Sequence, residues 1–337
     1  MLGNIDFNYM LAFIVAFVVT ALLAPLMIHF LRKEKIKQTI LSYVDNHVGK
    51  QGTPTMGGLI FIAAISIVTL AFTGAKSALA NILIIVFFAY GIVGFLDDFI
   101  KFRFKRNLGL RAYQKIVFQL VIAVIISVYV YKSPFIGSEI YLPFVNKSIN
   151  IGVWIIPLTA VVFLAASNSV NLIDGLDGLA ASNVMAYVLS FIFLIFSFIT
   201  SRGVEGDTLL FLEYKSLLIV CCVTVGSMLA FLLFNGYPAK IFMGDTGSLA
   251  LGSLVASIAI FTKATLFIPL LGIMFVVTAV SVIVQVAYYK LTKKRVFLMA
   301  PLHHHFERKG YHEVKIVAWY FILSLVVGTG VILLEIL

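Results

Sequence analysis

Three groups of carboxylates stand where an apolar chain has least reason to keep them. They are Asp97-Asp98, the pair Asp174 and Asp177 within Asn168-Ser-Val-Asn-Leu-Ile-Asp-Gly-Leu-Asp-Gly178, and Asp245. Each follows a long apolar run, and ionisable groups at the edge of a membrane span are costly unless something offsets them, which marks a functional site. Turn formation is the plainer account of Asp174-Gly175 and Asp177-Gly178, since Asp bonds its own backbone and Gly supplies positive φ. The shortness of that loop, its apolar flanks and the recurrence of acidic groups elsewhere argue for more. Adjacent carboxylates repel, so Asp97 and Asp98 stay ionised only beside a cation, or else one keeps its proton; either state is useful in catalysis. Lys101, Lys105, Arg106, Arg111 and Lys115 follow them. The plainer account here is a helix end reaching water.

Other polar stretches recur between the apolar runs. Lys50-Gln-Gly-Thr-Pro-Thr-Met-Gly-Gly58 offers donors at Lys50, Thr53 and Thr55 on a backbone freed by glycine, which suits an anion; it lacks the spacing of a Walker A loop. Asn235-Gly-Tyr-Pro-Ala-Lys-Ile-Phe242-Met-Gly-Asp245-Thr-Gly-Ser248 sets an aromatic, a lysine and a lone carboxylate before small residues, where Asp245 would also serve as a helix N-cap. Pro301-Leu-His303-His304-His305-Phe-Glu307 carries three successive histidines, which fan out by about 100° each on a helix and do not converge as zinc ligands spaced i,i+4 would. Hydrogen bonding to phosphate, sugar or base fits them better.

The elements that must hold these residues are membrane helices. The chain of 337 residues is 61% hydrophobic and 12% charged, with mean hydropathy +1.07, and its apolar stretches approach the ~20 residues needed to cross a bilayer. Ten spans are expected, near 9–31, 56–72, 79–96, 116–131, 151–166, 179–200, 216–234, 248–261, 267–288 and 316–334. The gaps leave no room for a soluble domain, so 1–337 reads as a single polytopic domain. Of 25 Lys and Arg residues, 19 fall in loops after odd-numbered spans. Short cytoplasmic loops carry the positive excess, so both termini are expected outside and the acidic clusters on the cytoplasmic side, where nucleotides are. The region Glu139–Ile151 has patchy alternation that fits a short external hairpin. The formal charge of +10 is explained by topology and attraction to anionic lipid, without nucleic acid. Cys221 and Cys222 read as small buried hydrophobes.

Taken together, Gly52-Thr-Pro-Thr-Met-Gly-Gly58, Gly94-Phe-Leu-Asp-Asp98, Asn168 to Gly178, Phe242 to Ser248 and Pro301 to Glu307 resemble, in order and in matching loops, the polyprenyl-phosphate N-acetylhexosamine-1-phosphate transferases, and within that family the branch using a muramoyl-pentapeptide donor. The resemblance implies transfer of phospho-N-acetylmuramoyl-pentapeptide from its UDP nucleotide to undecaprenyl phosphate with Mg²⁺, giving lipid I and UMP. It implies a homodimer in the bacterial plasma membrane, in peptidoglycan synthesis. It further implies Asp97, Asp98, Asp245 and His303 as catalytic residues, with Asp97 and Asp98 facing the acceptor phosphate and Asp245 holding the metal. Asn235 and Phe242 would contact the uracil-bearing half, Asp174 and Asp177 would shape the same pocket, and Lys50, His304 and His305 would hold diphosphate and sugar. Thr55, Lys101, Lys105, Asn168 and Asn171 complete the expected substrate-binding set.

The chemistry of the residues agrees, since Mg²⁺ prefers one or two carboxylates plus substrate phosphates and phosphoryl transfer asks mainly for positioning and charge neutralisation. Asp245 is the expected metal anchor because Asp97 and Asp98 have Lys101 and Lys105 beside them in sequence. An anion transporter would explain the spans, but transporters place their sites near the midplane between repeats. A lipid-binding scaffold would explain the basic loops, but has no use for five loop carboxylates.

Overall fold

A computed structural model describes residues 7–34, 52–104, 109–201 and 204–337. These fold into α1 (Phe7–Lys33), α2 (Gly58–Thr73), α3 (Ala78–Phe104), α4 (Ala112–Lys132), α5 (Ile155–Ile173), α6 (Leu179–Ser201), α7 (Thr208–Asn235), α8 (Gly244–Phe261), a single turn α9 (Ile268–Leu271), α10 (Ile273–Thr292), the short α11 (Leu302–Arg308) and α12 (Glu313–Ile336). Nine of them are long and apolar enough to cross a bilayer, and α2, with 16 residues, is a shorter apolar helix. The protein is a multi-pass, all-α membrane protein. The expected hairpin forms from β1 (Glu139–Tyr141) and β2 (Ser148–Asn150), with Ile140 opposite Ile149. Lys263, between α8 and α9, fastens it: its Nζ lies 3.1 Å from Glu139 Oε2 and its carbonyl accepts from Tyr141 N–H at 2.8 Å.

Helix α8 is the axis of the bundle. Every residue from Thr246 to Phe261 is buried, and α8 packs on α2, α3, α5 and α6. Its sequence explains this place, because Gly247, Ser248, Ala250, Gly252, Ser253, Ala256, Ser257 and Ala259 are small enough for neighbouring backbones to approach. Several hydroxyls are satisfied within the helix, as Ser253 Oγ to the Ala250 carbonyl at 2.7 Å. A second pairing, α1 on α7, is joined in the membrane by Thr20 Oγ1 and Ser227 Oγ at 2.8 Å.

Among the helix ends that run beyond the limits hydropathy sets, four carry motif residues. α3 continues past 96 to Phe104, α4 begins at Ala112 rather than 116, α5 continues past 166 to Ile173, and α8 begins at Gly244 rather than 248. In each case the extension carries polar residues of the motifs, so Asp97, Asp98, Lys101, Lys115, Asn168, Asn171 and Asp245 are helical residues where loops were expected. Hydropathy records the cost of facing lipid; these side chains face one another, so nothing stops the helix. The ninth expected span is corrected differently: it is interrupted at Gly272, leaving α9 and α10 as separate pieces.

Candidate active site

The five motif stretches meet at one end of the bundle. The C-terminal part of α3 supplies Asp97, Asp98 and Lys101, α4 supplies Lys115, α5 supplies Asn171, and the first turn of α8 supplies Asp245. One oxygen from each of Asp97, Asp98 and Asp245 lies within 4.8 Å of the others. The three carboxylates differ in what holds them. Asp98 is committed to the N-terminus of α8: its oxygens accept from Asp245 N–H at 3.2 Å, Thr246 N–H at 2.9 Å and Thr246 Oγ1 at 2.7 Å. That is a charge placed where a helix dipole favours an anion.

Asp97 and Asp245 are met by lysines. Lys101 Nζ lies 2.6 Å from Asp97 Oδ2 and 3.0 Å from Asp245 Oδ2, and Lys115 Nζ lies 2.8 Å from that same Asp245 oxygen. Asn171 Nδ2 donates to Asp245 Oδ1 at 2.7 Å and to Ser248 Oγ at 2.8 Å, while Leu110 N–H donates to Asp97 Oδ1 at 2.8 Å. The sequence expectation that Asp245 stands apart from the lysines is therefore corrected, because α4 brings Lys115, 130 residues away, directly onto it. An unpaired carboxylate among membrane helices is costly, about 2.5–3.5 kcal/mol at the bilayer centre, so cations are favoured beside these groups. Backbone N–H groups cannot leave Asp98, whereas lysine stems swing. Asp97 and Asp245 are thus the carboxylates able to exchange an ammonium for another cation, and hard oxygen donors of this kind suit Mg²⁺.

The cluster is built by close helix approach. A Cβ added at Gly94 would collide with the Asp245 backbone carbonyl, so glycine lets α3 lie against α8 where their carboxylates meet. Gly244 sits at φ +73 between Asp98 and Thr55, a position where a side chain would be both strained and in collision. The first loop docks through its backbone: Gly57 N–H and Gly58 N–H donate to the Phe242 and Met243 carbonyls at 2.9 Å each, and Phe242 N–H donates to the Pro54 carbonyl at 2.8 Å. Thr55 and half-buried Phe242 therefore border the cluster.

Asp177 accepts from Ala239 N–H at 2.9 Å, tying the 174–178 loop to the 236–242 loop. Asp174 is half-buried at the C-cap of α5; burial, then the charges of Asp245, Asp98 and Asp177, push its carboxyl up to about 8. His303 is buried on α11, close enough to Gly175 that a Cβ there would strike its Nε2. His304 Nδ1 lies 2.5 Å from Glu307 Oε2. His305 Nδ1 accepts from Leu298 N–H at 3.1 Å, and removal from water, then Lys309, lowers its pKa, in the direction of the neutral ring that can accept. The His303 and His304 rings meet edge to face with centroids 4.3 Å apart, whereas His305 turns to Phe297, so the fanning their spacing predicts holds for His305 alone.

Two expected residues are turned into the protein. Asn168 Nδ2 donates to Gln119 Oε1 at 2.7 Å, pinning α5 to α4, and Asn235 is buried with Nδ2 donating to the Ile241 carbonyl at 2.9 Å. Both shape the site through helix and loop position and are not part of the carboxylate cluster. Lys50 and Lys105 lie outside the described residues.

Residues 79–263 match the glycosyl transferase family 4 model, and residues 50–62 match phospho-N-acetylmuramoyl-pentapeptide-transferase signature 1. A phospho-N-acetylmuramoyl-pentapeptide-transferase of Clostridium novyi (strain NT) is 42% identical over 314 residues, covering 93% of this chain and 92% of that protein. The enzyme of that name from Clostridioides difficile (strain 630) is 40% identical over 329 residues, 97% of each chain. Another, from Thermoanaerobacter sp. (strain X514), is 44% identical over 317 residues, 94% of this chain and 95% of its own. The chain belongs to the phospho-N-acetylmuramoyl-pentapeptide-transferase family.

Family membership makes the cluster a candidate active site, and the structure adds Lys115, Thr246 and Ser248 to the residues that sequence singled out. Lys115 had a signal in its position at the end of a basic run. Thr246 and Ser248 had none beyond standing beside Asp245, since hydroxyls in a small-residue helix look like packing.

Proposed function

We propose that this protein transfers phospho-N-acetylmuramoyl-pentapeptide from its UDP nucleotide to undecaprenyl phosphate, forming lipid I and releasing UMP, on the cytoplasmic face of the bacterial plasma membrane, as a homodimer. The observation that carries the reading is the convergence of Asp97, Asp98 and Asp245 with Lys101 and Lys115 at a helix end, in a chain of this family. Mg²⁺ held by Asp245 and Asp97 would neutralise the diphosphate charge that develops as UMP leaves. Asp98 fixes the first turn of α8 and so aims Asp245. Lys101 and Lys115, displaced from Asp245, are placed to meet phosphate oxygens, which is the positioning and neutralisation that phosphoryl transfer demands.

In this reading Asp97 faces the acceptor phosphate, and Phe242 with the Asn235-braced loop borders the uracil-bearing half. Asp174 and Asp177 shape the pocket floor, and His303 and His304, with Lys50 and Thr55, face diphosphate and sugar.

The assay is direct. Purified protein with Mg²⁺ and undecaprenyl phosphate is expected to release UMP from UDP-N-acetylmuramoyl-pentapeptide, and faster release from UDP-N-acetylglucosamine would overturn the donor assignment. The sidedness is tested by a cysteine at exposed Lys240, in the loop beside the site. It is expected to be protected from an impermeant thiol reagent in right-side-out vesicles, and ready labelling there would reverse the topology.

A further inference from the structure

The segment after α10 has neither helix nor strand, yet it leads directly into the histidine helix. Three consecutive backbone N–H groups in it are taken by side chains: Val296 and Phe297 donate to Gln285 Oε1 at 3.2 and 2.9 Å, and Leu298 donates to His305 Nδ1 at 3.1 Å. At its far end Leu302 N–H donates to Ser281 Oγ at 3.1 Å. Ser281 and Gln285 stand four residues apart on α10, hence on one face of that helix. The Phe297 ring lies edge-on to His305, centroids 5.7 Å apart. Gln285 sits in no motif and its carboxamide lies on a helix that is mostly uncovered by protein, where a polar side chain needs a reason to persist.

We propose that Gln285 is a positioning residue: by accepting from Val296 and Phe297 it fastens segment 295–302 to α10 and sets His303 against the 174–178 loop. A single side-chain oxygen holds two adjacent N–H groups that regular structure leaves open. With it in place, the segment is held along α10 as it enters α11, and His303 lies at Gly175. This rests on the proposed transfer reaction only for its kinetic consequence; the fastening is a property of the chain alone.

The test compares Gln285→Met, which keeps the side chain's length without its acceptor, with Gln285→Glu, which keeps acceptor oxygens. Full-length protein in detergent is digested with trypsin, and cleavage after Lys294 and Arg295 is followed by mass spectrometry. Gln285→Met is expected to be cut about ten-fold faster, the effect of losing about 1.4 kcal/mol of local hydrogen bonding. Its KM for the UDP-linked donor is expected to rise several-fold with kcat changed less. Gln285→Glu is expected to stay within about two-fold of the parent in both. Unchanged cleavage of Gln285→Met, or a Gln285→Glu protein that behaves like Gln285→Met, overturns the fastening. Faster cleavage with an unchanged donor KM overturns the positioning role. Faster cleavage of Gln285→Met in a protein whose parent releases no UMP upholds the fastening and overturns the reading of the reaction.

Discussion

The carboxylate cluster and the histidine helix lie at the same end of the bundle, but they are held in opposite ways. The cluster stands on four long helices, of which α3 and α8 touch at Gly94, and their side chains cross-link through Asp98, Asn171, Lys101 and Lys115. The histidine helix has seven residues and hangs from an exposed segment by side-chain bonds at Gln285, His305 and Ser281. Groups that must be placed to within a fraction of an ångström are built on rigid elements, whereas a segment able to loosen suits the admission of a large donor.

The largest expected effect falls on the rigid half. Asp245→Asn is expected to abolish Mg²⁺-dependent UMP release with membrane insertion intact, a loss beyond the ~10²–10⁴-fold typical of a positioned acid or base. A Mg²⁺ titration reads it: near-normal turnover in Asp245→Asn, with a raised Mg²⁺ requirement in Asp97→Asn, would move the anchor to Asp97. Gly94→Ala comes next. It pushes the Asp245 backbone from α3, and a misplacement of that order costs roughly 10²-fold in turnover. Gly330→Ala, where a Cβ meets nothing within 4 Å, is the control, and equal activity of the two variants would show that the crossing does not set the site.

The smallest effect belongs to Asp174, which lies between the two regions. Its carboxyl ionises near 8 in the fold against an ordinary 3.8, so from about pH 4 to 8 the folded chain keeps a proton that the unfolded chain has lost. Stability of the metal-free protein is therefore expected to fall as pH rises through that window and to level above it. Asp174→Asn is expected to flatten the decline in melting temperature between pH 6 and 8. An unaltered slope in that variant would mean the carboxyl is already ionised.

Much of this was legible from residue types alone. Apolar runs of about 20 residues dictate membrane helices because a helix of that length satisfies its own backbone across the lipid. Polar clusters between them mark a site because nothing else repays their cost. The three carboxylate groups and the histidine triplet are visible for that reason. Sequence also determined the central place of α8, in that its small residues permit close neighbours on every side.

The tertiary structure decided which partners each group meets. Nothing local distinguishes Asp98, locked by the N–H groups of Thr246 and Asp245, from Asp97, held by a movable lysine. Lys115 and Asp245 are 130 residues apart and become neighbours only because the first turns of α4 and α8 meet. The same applies to Asn168 and Asn235, whose amide N–H groups are spent on Gln119 and Ile241, and to Gln285, which looks like a stray amide in an apolar helix. A hydropathy pattern is a property of single residues facing lipid, whereas the role of a buried charge is set by the few atoms within about 3 Å of it, and only the fold chooses those.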